Sequence, residues 1–225
     1  RAFMLDDARY FHGEAFVKQM LDQMALLKMN TLHWHLIDDA GWRIEIKKYP
    51  LLTKIGAFRS DSEIGTWKSG KTSGQPHGGF YTQEQIKDIV AYAAARNINS
   101  VPEFEMPGHS SAAIASYNWL GTAGIPIEVP VKFGRLYDNY DVTKPEVITF
   151  IKDVLNELFE LFPSEVIHIG GDEVGYEVWE NTASVQKYMK DNNIKSPADL
   201  QIDFTNKISQ YIEANGRRMM GWNEI

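Results

Sequence analysis

Residues 165–174 read EVIHIGGDEV. An apolar alternating run over 166–169 climbs to Gly170 and Gly171 and then delivers two adjacent acids, Asp172 and Glu173. Neighbouring like charges repel, and taking either out of water is costly. A fold rarely needs such a pair at the end of a buried strand, so the stretch reads as a strand that presents chemistry at its C-terminal tip. Successive side chains on a regular strand point to opposite faces. The two acids can serve one ligand only if the double glycine bends the chain; otherwise a second carboxylate must arrive from another strand. The plain alternative is an Asp that caps the next helix, followed by a solvated Glu.

The same layout recurs along the chain. Strands are predicted at Ala2–Asp6, 31–37, 99–104, 166–169 and 218–222, and helices at 14–29, 82–96, 143–161, 176–191 and 197–215. The helices carry apolar stripes at 3.6-residue spacing. Thr82 with Gln85 fits a capping box, and Thr143 is the expected N-cap of a helix with Pro145 and Glu146 in its first turn. Strands alternating with amphipathic helices predict an α/β fold of parallel βα units. Polar residues gather after each strand: Asp6, Asp7 and Arg9, then Asp38 and Asp39, then Glu105 to His109, then Asp172 and Glu173, then Asn223 and Glu224. That is the layout of a TIM (β/α)8 barrel, whose sites are built from strand C-termini. A doubly wound sheet also binds there, but no G-x-G-x-x-G follows any strand. Five strands against the eight of a closed barrel lead to the expectation that residues 1–225 are one partial catalytic domain, about the first five βα units, and that the barrel continues beyond the C-terminus. Two long stretches, 58–79 and 117–140, read as functional or mobile loops.

Composition narrows the partners. The chain has 225 residues, 44% hydrophobic, enough for a sizeable core. Its net charge is −7 and no basic stripe is present, which argues against nucleic acid and anionic membranes. No apolar run reaches the length of a membrane span. With no cysteine, disulfides, thiolate metal sites and thiol nucleophiles are excluded. The 6 Trp fill cores for the most part, but Trp also makes the apolar floors on which sugar rings stack.

Two further motifs carry candidate chemistry. His33-x-His35 puts two imidazoles on one strand face. With His109 and His168 this pattern would suit a metal-dependent hydrolase, although histidines in a packed interior are more often satisfied by hydrogen bonds. The stretch PEFEMPGH (102–109) ends a strand with a Pro-Gly turn that aims His109 at the barrel mouth. A His among carboxylates would keep its proton and orient or relay to an acid; the alternative is a His that caps the helix starting near Ser110.

Taken together, RAFMLDDARYF (1–11), LHWHLIDDAGWRIEIKKYP (32–50), TSGQPHGGFYTQEQI (72–86), VPEFEMPGH (101–109), HIGGDEV (168–174) and GWNEI (221–225) resemble the β-N-acetylhexosaminidases of glycoside hydrolase family 20. The motifs occur in order over nearly the whole chain. The resemblance implies a TIM-barrel retaining exo-glycosidase acting on terminal non-reducing β-linked GlcNAc or GalNAc, with no cofactor and no metal. It implies Glu173 as the general acid/base and Asp172 as the residue that orients the substrate's 2-acetamido group, whose carbonyl oxygen is the nucleophile. Such substrate assistance is an exception to the two-carboxylate rule and explains how adjacent acids suffice. It further implies Arg9 as a ligand of sugar hydroxyls, Asp38 and His109 as a relay around the acid/base, and Trp222 as one wall of an acetamido pocket. Ala2 stands where Gly is usual, and Ala40 where Gln is common. The family's other pocket Trp residues, a Tyr and a sugar-binding acid belong to later strands, so residues 1–225 alone are expected to be inactive. The implied partner is a glycan or glycoconjugate, and the implied compartment is outside the cytoplasm: periplasmic, extracellular or lysosome-like. A non-catalytic sugar-binding barrel is the remaining alternative.

Overall fold

The computed structural model describes residues 1–66, 68–132 and 138–225. Trp67 and residues 133–137, which fall in the two long loops expected from sequence, lie outside the described residues. Five strands, β1 (Ala2–Asp6), β2 (Thr31–His35), β3 (Asn99–Glu103), β4 (Val166–His168) and β5 (Arg218–Met220), form one parallel sheet in sequential order. This is the arc of a TIM barrel. The register aligns Asp6, His35, Glu103, His168 and Met220 in a single row across the sheet. Residues in that row share a face, so the polar members meet on the concave side.

The other face is apolar and covered by helices. Trp34 on β2 packs edge-on against Tyr81 and Phe162, at ring centroid distances of 5.0 and 6.4 Å. The long helices α1 (Glu14–Leu26), α2 (Gln83–Ala94), α3 (Pro145–Leu161) and α4 (Pro197–Ala214) each turn one stripe inward. On α3 that stripe is Val147, Phe150, Ile151, Val154, Leu155, Leu158 and Leu161. Each large side chain so buried stabilises the fold by about 1.5–3 kcal/mol relative to exposure. Among the described residues no helix is long and apolar enough to cross a membrane.

Local chemistry sets most boundaries. Thr82 and Gln85 form the expected capping box at the start of α2. At α3 the N-cap is Lys144, not Thr143, because the Thr143 hydroxyl donates to Asp141 instead, at 2.6 Å. The expected 176–191 helix is two helices, Glu177–Glu180 and Ala183–Asp191. The break falls where the Asn181 side chain and the Thr182 hydroxyl bond back to the carbonyls of Glu177 and Val178, both at 2.7 Å. The expected 31–37 strand stops at His35, and Ile37–Asp38 pairs antiparallel with Gly41–Trp42 in a small ribbon. That ribbon carries Asp38 and Asp39 up from the sheet to its C-terminal rim.

Candidate active site

The tip of β4 answers the question of the adjacent acids. The strand ends at His168, and Gly170 and Gly171 take φ values of +67° and +95°. A Cβ on Gly170 would lie 1.7 Å from Glu105 Oε2, and one on Gly171 2.0 Å from Ile225 Cγ2. Glycine is required there by backbone and by space together. Beyond the bend, Glu173 is also left-handed, with φ +49°, and its N–H donates to Glu224 Oε2 at 3.0 Å. The two-face alternation of a strand is thereby lost. Asp172 Oδ2 and Glu173 Oε2 lie 3.8 and 3.6 Å from the same nitrogen, His109 Nε2. One oxygen from each acid and that nitrogen lie within 4.8 Å of one another. The Glu173 side chain is 57% exposed and Asp172 is 25% exposed, so both face the open end of the sheet.

His109 is clamped from the other side. Its Nδ1 lies 3.1 Å from Asp39 Oδ2 and 3.5 Å from Asp38 Oδ1. Burial works against a charged ring here, but hydrogen bonding and attraction from Asp38 and Asp39 prevail and push its pKa up to about 12. The ring is therefore an imidazolium at neutral pH, placed between two pairs of acids. Sequence reasoning pairs His109 with Asp38; the structure gives the shorter contact to Asp39. Asp39 also accepts from the N–H and hydroxyl of Ser111, holding the start of the short helix Ser111–Ser116. Burial, together with repulsion from Asp38, raises the Asp39 carboxyl. Burial would raise Asp38 too, but His109, Arg9 and His35 hold it below the usual carboxylate range.

Arg9 completes the line. Its Nη2 lies 2.7 Å from Asp38 Oδ2, and its Nη1 lies 2.8 Å from Asp6 Oδ2. Arg9, Asp38, His109 and the acid pair thus form one continuous run of alternating charge. The turn that bears Arg9 is held by a residue that sequence reasoning passed over. Buried Arg43 donates to the carbonyls of Asp7, Ala8, Ala57 and Gly79 and ties the β1 turn to the 58–79 loop.

A second polar group lies deeper. Glu103, fully buried on β3, has its Oε2 2.7 Å from His33 Nε2 and its Oε1 3.1 Å from His168 Nδ1. The Trp222 indole N–H donates to Oε1 at 3.0 Å. Burial would raise this carboxyl, but His168 and His33 outweigh it and hold it well below the usual range. Glu105, two positions on, goes the other way: burial and repulsion from Glu103 and Asp172 raise it well above its ordinary value. The trio His33, His35 and His109 does not meet in one place. His33 faces Glu103 and His168, His35 Nε2 lies on the Ile37 carbonyl at 3.0 Å, and His109 belongs to the acid pair. The three histidines therefore do not form one ligand set, although His33 and His168 do meet with Glu103 within 4.8 Å. Asp39, Glu105 and Glu224 are legible in the sequence only as polar residues after strands, without a role, and Glu103 is not singled out there at all. For Glu103 and Glu105 the available signal was a charged residue within or just after a predicted buried strand.

Fold and site together define a class: a TIM-barrel catalytic domain with a carboxylate–imidazole cluster at its strand ends. The model of glycosyl hydrolase family 20, catalytic domain, matches residues 1–225, and the chain belongs to that family. It is 41% identical to a β-hexosaminidase of Porphyromonas gingivalis over all of this chain and 28% of the relative. A β-hexosaminidase of Vibrio furnissii is also 41% identical, over all of this chain and 37% of the relative. The structure of a family 20 exo-β-N-acetylglucosaminidase from Vibrio harveyi, in complex with N-acetylglucosamine, superposes with a TM-score of 0.85 at 37% identity. That match covers all of this chain and 36% of the Vibrio harveyi chain. The chain thus spans well under half the length of these relatives.

Proposed function

We propose that the protein of which these residues form part is a retaining exo-glycosidase that removes terminal non-reducing β-linked N-acetylhexosamine from glycans. One observation carries the reading: Asp172 and Glu173 converge on one face of His109, with their oxygens within 4.8 Å. Glu173, the more exposed of the two, protonates the departing glycosidic oxygen. Asp172 holds the 2-acetamido N–H so that the acetamido oxygen attacks the anomeric carbon, giving an oxazolinium ion that water then opens. The His109 ring sits beside both acids, its Nε2 3.8 Å from Asp172 Oδ2 and 3.6 Å from Glu173 Oε2, and fixes where each of them stands. Arg9 offers a guanidinium fork to sugar hydroxyls, and Trp222 forms one wall around the acetamido methyl. The Vibrio harveyi relative's complex with N-acetylglucosamine is in keeping with this substrate class. The other pocket walls come, on this reading, from strands outside residues 1–225. Glycans of this kind are met mostly outside the cytoplasm, so we propose export of the protein.

The test uses the complete protein. Glu173→Gln is expected to lower kcat on a GlcNAc disaccharide by about 10²–10⁴-fold, the usual weight of general acid catalysis. The loss should be much smaller on a dinitrophenyl glycoside, whose leaving group needs no proton. Equal losses on both substrates, or a near-normal rate on the disaccharide, would remove Glu173 from the role.

A further inference from the structure

We infer that Glu103 is the positioning residue that fixes the Trp222 indole, and through it the size of N-acyl group the site accepts. The inference rests on the reading of Trp222 as a wall of the acetamido pocket. Glu103 faces His33, His168 and Trp222, with His35 Nδ1 farther off at 3.8 Å and Glu105 within 4.8 Å. A buried carboxylate is costly to hold unless its oxygens are satisfied, and no Arg or Lys is paired with this one among the described residues. Its oxygens are instead turned to two imidazoles and one indole.

The indole is held at several points. Its N–H donates to Glu103 Oε1 at 3.0 Å, its ring lies against His168 and His33 at 4.8 and 5.5 Å between centroids, and its backbone N–H donates to the Gly170 carbonyl at 2.9 Å. The same two imidazoles that back the ring also face the carboxylate. Ring plane and carboxylate position are therefore coupled: one cannot turn without disturbing the other. The backbone bond joins this assembly to the turn that bears Asp172 and Glu173. A shift of the Trp222 ring would change the pocket's depth relative to the acids, and a wall that has turned discriminates acyl length poorly.

The experiment compares the complete protein with its Glu103→Gln, Trp222→Phe and double variants on 4-nitrophenyl 2-acetamido- and 2-propionamido-2-deoxy-β-glucosides. Glu103→Gln is expected to lower the acetyl-over-propionyl ratio of kcat/KM by about fivefold or more, a coupling typical of residues in contact. In the Trp222→Phe background the same change is expected to move the ratio by less than about twofold. A merely structural role would lower both substrates alike, or act equally in both backgrounds, and either result overturns the inference. Glu103→Asp keeps the buried charge but draws it back by one methylene, and it serves where the Gln variant does not fold; unchanged selectivity there also overturns it. If the parent protein cleaves neither glycoside, the functional reading fails separately. The anchoring is then read from the Trp222 indole proton in protein labelled with [15N]tryptophan, identified by its loss in Trp222→Phe. Loss of the hydrogen bond in Glu103→Gln should move that resonance upfield, and an unmoved resonance overturns the anchoring.

Discussion

Replacing Gly170 by Ala tests whether the acid pair is aimed by a turn that only glycine can make. The backbone there has φ +67°, and an L-residue in that region costs about 1–2 kcal/mol. The new Cβ would also stand 1.7 Å from Glu105 Oε2 and 2.1 Å from its Cδ. To reach even a tight 3.0 Å contact the carboxyl must retreat by roughly 1.3 Å, within a packed interior where overfilling costs about 1–3 kcal/mol. The combined penalty is about 2–5 kcal/mol, or a fall in Tm of about 2–4 °C for each kcal/mol in a domain of this size. If the turn yields instead, Asp172 and Glu173 move with it, and a 1 Å misplacement costs about 10²-fold in rate. Two controls separate the causes. Gly216 has φ +73° with nothing within 4 Å, so Ala there costs the backbone term alone. At Gly108 a Cβ would meet nothing closer than 3.5 Å, so Ala there is expected to be nearly neutral in stability. Thermal melts and GlcNAc-glycoside turnover on the complete protein give the readout. A Gly170→Ala variant that melts no lower than Gly216→Ala and keeps full turnover refutes the argument.

Two pH effects follow from the buried charges. The His109 pKa is raised from 6.5 to about 12, so its proton binds more tightly in the folded state. The stability this confers is fully present below about pH 6.5 and is lost as pH rises toward 12. His109 should therefore contribute no titration to the pH–rate profile near neutrality, and a His109 ring resonance that titrates below about pH 8 would contradict the clamp. Glu105 has its carboxyl raised, so the fold favours its protonated form and is weakened as pH rises above the ordinary carboxylate value. Glu105→Gln, neutral throughout, should gain in Tm over the parent as pH is taken from about 5 to about 8; a pH-independent difference would count against a raised Glu105.

Much of this architecture is legible in the chain itself. The alternation of two-residue and 3.6-residue periods is a local property, so β1 and the main helices are read to within a few residues. The Thr82–Gln85 box is local as well, and the clustering of acids after strands already points to the C-terminal rim. Local reading fails where one polar side chain can choose between partners. Thr143 turns to Asp141 instead of capping α3, and Asn181 and Thr182 divide one expected helix into two.

The sequence by itself determined the parallel βα architecture and the strand that carries Asp172 and Glu173, but it left open whether the double glycine bends the chain, which the positive φ values at Gly170 and Gly171 decide. Only the tertiary structure decided which groups those acids meet. Trp222 reaches Glu103 across 119 positions, and His109 reaches Asp39 across 70. Such pairings follow from strand register and from the angle at which each rim turn leaves the sheet. Those are set when the helices pack and the row from Asp6 to Met220 closes up, and no short window of residues contains them.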